Sequence, residues 1–283
     1  SEEKKRIFFK YQKGSNIMVR SMFAGVAGLR THQSKLDVIG NNIANVNTWG
    51  YKAGSANFMD SLYTNTTNST GGNTATVGGI GGINASQVGY GVQMSSISRD
   101  FSKSTPYSTG RELDVMIEGT GFLIVSTSPG AANTQVPITT DLKNAPMGLK
   151  LSRVGILAVD NEGYLVDNNG NYIYGFVATG TDATTGNATF DNNNIGRIRI
   201  PENTAGGGGL YRLQNYKIMS DGTVVGFTTD TEEKITLGKI ALADVQNVNG
   251  LQSDSGYYYN MGDNSGTCMA AQSNGILGTF LSS

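Results

Sequence analysis

The chain has 283 residues, enough for one large or two modest domains, and its 21 basic against 22 acidic side chains leave it nearly neutral. That balance speaks against nucleic acid or an anionic membrane as partner, and a single cysteine, Cys268, rules out an intramolecular disulfide and any two- or three-cysteine metal site. Charged residues at 15%, 39 glycines and recurrent Thr, Ser and Asn predict a mainly β chain of short strands and tight turns with a helical end.

Residues 1–17 carry Lys4-Lys-Arg6 and then Ile7-Phe-Phe9, but Lys10 cuts the apolar run short of the ~7–15 residues a signal peptide needs. No stretch reads as a transmembrane helix. From Met22 to Ile43 the positions Met22, Val26, Leu29, Gln33, Leu36, Gly40 and Ile43 alternate in steps of four and three, the seam of a helix that packs on another helix. Gln33 and Gly40 interrupt the apolar series, and Gly25, Gly28 and Gly40 each cost about 1 kcal/mol of propensity relative to alanine. On periodicity alone, such a helix would cover the core of its own domain. Ser21 is the expected N-cap, and Asn47-Thr-Trp-Gly50 the expected exit. Asn41, Asn42, Asn45 and Asn47 put amides on the helix surface, which could bond across a subunit contact without the desolvation cost of a charge.

Two stretches, Arg20-Ser-Met-Phe-Ala-Gly-Val-Ala-Gly-Leu29 and Leu36-Asp-Val-Ile-Gly-Asn-Asn-Ile-Ala-Asn-Val-Asn-Thr-Trp-Gly-Tyr-Lys52, resemble the N-terminal signature of the bacterial flagellar rod and hook proteins. The resemblance implies a structural subunit with no catalysis and no cofactor. It also implies a helix of the tube core over residues 18–50 and assembly with copies of itself, with rod and hook-filament junction proteins and with a hook cap. A methionine opens the family pattern, so Met18 is the expected start and residues 1–17 an upstream extension.

Beyond the helix, residues 51–86 are polar, with Thr64-Asn-Thr-Thr-Asn-Ser-Thr70 and Gly78-Gly-Ile-Gly-Gly-Ile-Asn84, and read as an extended linker. The glycines have no Gly-Lys-Ser/Thr after them and no strand-loop-helix around them, so a phosphate loop is a poor reading. An outer β domain is expected over residues 87–283, with strands at Val88–Met94 and Ser96–Phe101 and two more around a glycine turn in Leu113–Val125. Within it Thr109-Gly110, Leu113-Asp114 and Ile117-Glu118-Gly119-Thr-Gly121-Phe122 resemble the pattern that opens the outer domain of hook and distal rod proteins. Asp114 and Glu118 could suggest an acid–base pair, but with no histidine, cleft or gripping arginine they read as strand residues.

Asp160-Asn-Glu-Gly163, Asn169-Gly170 and Asp221-Gly222 predict tight hairpins. Calcium loops are disfavoured there, because the full ligand run and its closing glutamate are missing. Residues 179–209 read as a small surface insertion holding about one short strand, Ile195–Ile200. Ile235–Ala243 reads as the return of the β domain. The only histidine, His32, reads as a helix surface residue, and Trp49 as packing the exit turn on the linker. Tyr257-Tyr-Tyr259 reads as a strand with aromatic cross-strand contacts.

The resemblance further implies a long C-terminal amphipathic helix paired with the N-terminal one. The sequence given ends at Ile276–Ser283 without one, so the expectation is a folded β domain, a seam without its intramolecular partner, and poor assembly. The overall expectation is a self-assembling flagellar hook subunit, or else a distal rod protein. A different class remains open in a secreted β-rich adhesin or glycan binder that uses Tyr257–Tyr259 as its contact strip. No small-molecule substrate is expected.

Overall fold

In a computed structural model the N-terminal helix, α1, runs Glu2–Ala44. The structure describes residues 2–72, 79, 81–102, 105–127, 135–145, 148–181, 188–200, 203–206, 209–228, 234–272 and 279–282. Ser21 lies inside α1 and does not cap it. Helix formers flank Ser21 on both sides and no proline occurs before Pro106, so continuation outweighs a local capping bond.

The chain divides into two compact units, Ser1–Asp100 and Phe101–Ser283, with the boundary later than the expected one at residue 87. In the first unit β1 (Gly54–Asp60), β2 (Tyr63–Thr67), β3 (Ser86–Gly89) and β4 (Val92–Arg99) form two antiparallel pairs, β1 with β4 and β2 with β3. Two of these strands, β1 and β2, fall in the segment expected to be an extended linker, and β3 begins at its last residue. Every residue of β2 and β3 is solvent-exposed, so no buried face marks these strands in the sequence. The expected strand Val88–Met94 is broken at Gly91, whose φ of 108° is closed to ordinary side chains.

The second unit starts with β5 (Val115–Glu118), β6 (Phe122–Ser126), β7 (Val136–Pro137), β8 (Leu149–Ser152), β9 (Leu157–Val159), β10 (Leu165–Asp167) and β11 (Tyr172–Thr181). Then come β12 (Ala188–Phe190), β13 (Asn194–Arg197), β14 (Asn203–Gly206), β15 (Gly209–Ile218), β16 (Thr223–Thr228) and β17 (Lys234–Val245). β18 (Leu251–Ser253), β19 (Tyr258–Met261), β20 (Cys268–Gln272) and β21 (Thr279–Ser282) complete it. Its strands pair antiparallel, and β21 lies along β5, with Ser282 opposite Val115. Asn169-Gly170 and Asp221-Gly222 make the predicted turns, joining β10 to β11 and β15 to β16. The insertion holds β12, β13 and β14, more than the single strand expected, while residues 182–187, 207–208, 273–278 and 73–78 lie outside the described residues.

Three strands organise this unit. β17 pairs with β6, Leu242 opposite Leu123, and with β11, Ile240 opposite Gly175. Alternate residues of these strands enter two different cores. Leu123, Val125, Ile173, Ile240 and Leu242 join Leu157, Leu165, Ile198 and Val224 in one, while Phe122, Ile124, Tyr174, Phe176, Ala241 and Ala243 join Leu142, Leu151 and Cys268 in the other. A strand buried on both faces reads as a continuous apolar run, as Phe122-Leu-Ile-Val125 does.

Lys150 Nζ on β8 donates to Asp254 Oδ2 at 2.5 Å. That bond, the Ser255 backbone N–H and the Lys150 charge hold the Asp254 carboxyl below the usual carboxylate range. A depressed folded-state pKa contributes stability above the unfolded value and loses it as pH falls through the folded value. Lys150→Met should therefore lower the unfolding midpoint at pH 7, and the gap to the parent should close below about pH 4. Thermal melts across pH 2.5–7 check this, and a gap that persists unchanged at low pH contradicts it. A Cβ at Gly155 would lie 1.8 Å from the Val115 carbonyl oxygen and 2.8 Å from its carbon, which only a backbone shift can relieve. Gly155→Ala should cost about 1–3 kcal/mol in denaturant titration.

Candidate assembly site on the N-terminal helix

The seven seam positions, Met22, Val26, Leu29, Gln33, Leu36, Gly40 and Ile43, are all solvent-exposed on the described chain. Met22 is 70% exposed, Leu29 74%, Leu36 66% and Ile43 67%. The helix therefore does not cover its own core with this face, as periodicity alone suggested. Thr31, nine positions after Met22 and so about 180° round the helix, faces the β1–β4 pair instead.

That inward face is made of small and polar side chains. Thr31 is buried, its Oγ1 donating to the Ala27 carbonyl at 2.8 Å with the Val92 carbonyl at 3.1 Å. A Cβ at Gly91 would lie 3.2 Å from the Ala24 carbonyl oxygen and 3.4 Å from the Ala27 Cβ, so strand and helix approach closely there. His32 sets its ring edge against Phe58 at 5.4 Å, and Lys35 Nζ lies 5.3 Å over the same ring. Arg20 reaches over Tyr90 at 5.9 Å.

The asparagines bond mostly within the chain, which corrects the expectation of amides free for a subunit contact. Asn42 acts as a substitute backbone: its Nδ2 donates to the Gly54 carbonyl at 2.8 Å and its Oδ1 accepts from the Gly54 N–H at 3.0 Å. Tyr51 OH also donates to Asn42 Oδ1, at 2.9 Å. Asn41 Nδ2 reaches Tyr51 OH at 3.2 Å, and Asn45 Nδ2 reaches the Asn41 carbonyl at 2.9 Å. Thr48 Oγ1 donates to Asn45 Oδ1 at 3.2 Å, and Gly50 turns the chain with φ 69°. Asn47 and Trp49 are exposed. The helix end is tied to β1 by these amides.

The second motif is structural. Leu113 packs on one core, and Ile117 and Phe122 are buried. Asp114 is buried with Arg111 Nη1 3.7 Å away, whereas Glu118 ends β5 in solvent, so the two carboxyls sit in opposite environments. The carbonyls of Gly119 and Gly121 accept from the Arg153 guanidinium at 2.6 and 3.2 Å. Arg153 escaped the sequence reading because a lone arginine after a strand carries no pattern.

The adhesin reading loses its contact strip, since Tyr258 and Tyr259 are each 5% exposed and belong to the two cores. Tyr258 OH donates to Asp167 Oδ2 and accepts from Asn171 Nδ2 at 2.6 Å. The Asp-rich turns hold their own backbones: Asp167 Oδ1 accepts from Asn169 N and Asn171 N, each at 2.9 Å, and Asp191 Oδ1 from Asn193 N at 3.0 Å. Among the described residues no three His, Cys, Asp or Glu side chains gather as a metal site.

A long helix with its large apolar side chains turned outward, tied to β strands by amides, is the equipment of a structural subunit. The sequence profile described as "Flagella basal body rod protein" matches residues 22–52, the stretch that carries the seam and the asparagines. The chain is 33% identical over 263 residues to the flagellar basal-body rod protein FlgG of Bacillus subtilis, covering 93% of this chain and 81% of that protein. It is 35% identical over 162 residues to the flagellar hook protein FlgE of Treponema pallidum, covering 57% of this chain and 30% of that protein. For the hook protein FlgE of Salmonella typhimurium the identity is 33% over 164 residues, 58% of this chain and 31% of that protein. The chain thus spans about a third of the length of these hook proteins. A crystal structure of the Helicobacter pylori hook protein FlgE2 is 24% identical, with a TM-score of 0.23 over 32% of this chain and 21% of that one.

The chain belongs to the flagellar rod and hook protein family and is a structural subunit of the flagellum.

Asn42→Ala leaves the Gly54 N–H and C=O without their partner and should destabilise the helix–strand unit by about 1–3 kcal/mol. Asn42→Asp should fall between, keeping the acceptor and losing the donor. Amide exchange across β1, read by mass spectrometry, checks both variants, and equal protection in all three proteins contradicts this role.

Proposed function

We propose that this chain is a hook-type subunit that polymerises with copies of itself into a flexible tubular joint passing torque from motor to filament. The observation that carries the polymer reading is the exposed seam of α1, where Met22, Leu29, Leu36 and Ile43 meet water along one face. An apolar stripe on a monomer marks an interaction surface. A heterologous contact that does not close on itself makes a helical tube. Motif stretches 20–29 and 41–48 support the hook reading by their likeness to hook sequences. The β unit lies outside the tube wall in this reading, and the subunit leaves the cell through the flagellar export channel to an extracellular position. Rod and hook-filament junction proteins and a hook cap are its neighbours.

A distal rod subunit is the second reading. It is favoured by the extent of the likeness to the Bacillus subtilis rod protein, which covers most of both chains, whereas the hook proteins align over little more than half of this one.

Electron microscopy of the chain, alone and with a family-type amphipathic helix added at its C-terminus, tests both readings. Tubes are expected from the extended chain; curved tubes favour the hook and straight ones the rod. Leu29→Ser with Leu36→Ser should abolish tubes and cut the sedimenting fraction more than tenfold, while leaving the melting curve of the monomer unchanged, since neither side chain is buried in it. Monomers from every version, or tubes from the double variant, overturn the polymer reading.

A further inference from the structure

Within the first unit, β1 runs on into β2 and β3 into β4. The Ser61 N–H donates to the Gly91 carbonyl at 2.8 Å and the Tyr90 N–H to the Leu62 carbonyl at 3.0 Å, which joins the two strand pairs into one long ribbon. Beyond β2 and β3 the ribbon continues to Thr70 and Ile83, which exchange both backbone bonds, at 3.0 and 3.1 Å. Helix α1 packs on β1 and β4. From Leu62 to Tyr90, by contrast, every described residue is exposed, and no other described strand pairs with β2 or β3. A two-stranded ribbon with no layer on either face is marginal in water.

This outer half also lacks the usual guards of a strand edge. Residues 61–98 contain no charged side chain and no proline, in a chain that is 15% charged. Lysine and proline are the common means of keeping an open edge from pairing with another chain. A bulge is another such device, and the one between Asn65 and Thr67 leaves Thr66 without a partner on β3. Outward backbone N–H and C=O groups therefore lie along both edges, beside exposed Leu62, Tyr63, Ile83 and Val88.

The side chains indicate what fits there. Gln87 Nε2 donates to Asn65 Oδ1 at 2.7 Å, and Thr64 Oγ1 donates to the Tyr90 hydroxyl at 3.0 Å, so amides and hydroxyls answer one another across the two strands. A charged partner would lose hydration against this surface with no opposite charge to offset it. A partner strand of amides, hydroxyls and a few apolar groups loses nothing of that kind, and the ribbon itself has that composition.

We propose that the outer ribbon is an edge-pairing surface whose occupant is the same ribbon of a second copy, joined strand to strand by backbone hydrogen bonds. Such strand addition draws its affinity from main-chain bonds and its specificity from the flanking side chains. It adds a second contact to the assembly reading above and rests on that reading only for the presence of many copies.

The test is hydrogen–deuterium exchange of the full chain, read by mass spectrometry on peptides from residues 61–72 and 81–90 at micromolar and millimolar concentration. In the parent, amides of β2 and β3 should exchange about tenfold more slowly when concentrated. Thr66→Lys with Gln87→Lys should abolish that slowing by like-charge repulsion, as should Thr66→Glu with Gln87→Glu, and an equal mixture of the two variants should restore it. The Leu29→Ser, Leu36→Ser chain should keep the slowing, since its changes lie on the helix. Dilute samples show whether each variant keeps its own ribbon; where a double variant does not, Thr66→Lys and Thr66→Glu alone, at the unpaired residue, decide. Equal exchange of the parent at both concentrations overturns the proposal, as do charged variants that slow like the parent or a mixture that does not recover. Slowing lost in the helix variant also overturns it, because the helix of a second copy would then be the cover. Tubes with an unprotected ribbon overturn the ribbon contact and leave the helix seam standing, whereas a protected ribbon without tubes does the reverse.

Discussion

A helix that turns its small residues toward its own chain has no place within that unit for its large ones, and this constraint shapes the first hundred residues. Ala24, Ala27 and Thr31 let the β1–β4 pair come close enough for Gly91 to sit against the Ala24 backbone. A leucine at any of these positions would push the strands away. The price is that Met22, Leu29, Leu36 and Ile43 remain in water, where burial of each could contribute about 1.5–3 kcal/mol. The glycines add to this imbalance. A Cβ at Gly25, Gly28 or Gly40 would touch nothing in this chain, so their helix-weakening effect is not offset by packing within it.

The β unit solves the opposite problem. Its central strands are buried on both faces and need large side chains on each, except where another element crosses. Gly175 is such a point: a Cβ there would lie 2.3 Å from the Lys239 carbonyl oxygen and 2.6 Å from Ile198 Cδ1. Ala241 and Ala243 on β17 likewise sit in one core while Ile240 and Leu242 fill the other. Among the described residues of this unit the exposed large apolar side chains are few, Tyr107 and Met269, in contrast with the helix.

How much of this was legible in the sequence follows from which signals are local. The turns at Asn169-Gly170 and Asp221-Gly222 and the strands around Gly119–Gly121 depend on residues within a few positions of one another, and all were placed. β1 and β2 were missed because β1 alternates only between half-buried and exposed positions and β2 is wet on both faces, so that backbone pairing alone defines it. The inward face of α1 was missed for a related reason: alanine, threonine and asparagine do not register as a packing face in a reading that weights large apolar groups. The destination of the asparagine amides was also invisible, since a side chain at Asn42 finding the backbone of Gly54 depends on how the exit turn folds back.

That last bond explains why the exit of the helix is rich in asparagine and poor in charge. Gly54 offers a donor and an acceptor from one residue, and a group that answers both must carry a carbonyl and an N–H₂ side by side. A carboxylate supplies only acceptors, and serine is too short to span both atoms. Asn41 and Asn45 then lock the turn to the last helical carbonyls and to the Tyr51 hydroxyl, so the direction in which β1 departs is set by neutral hydrogen bonds. Neutral bonds are insensitive to salt and to pH across the physiological range, whereas an ion pair at the same exposed position would weaken with ionic strength. An amide joint therefore leaves the angle between helix and strand the same across such changes of medium.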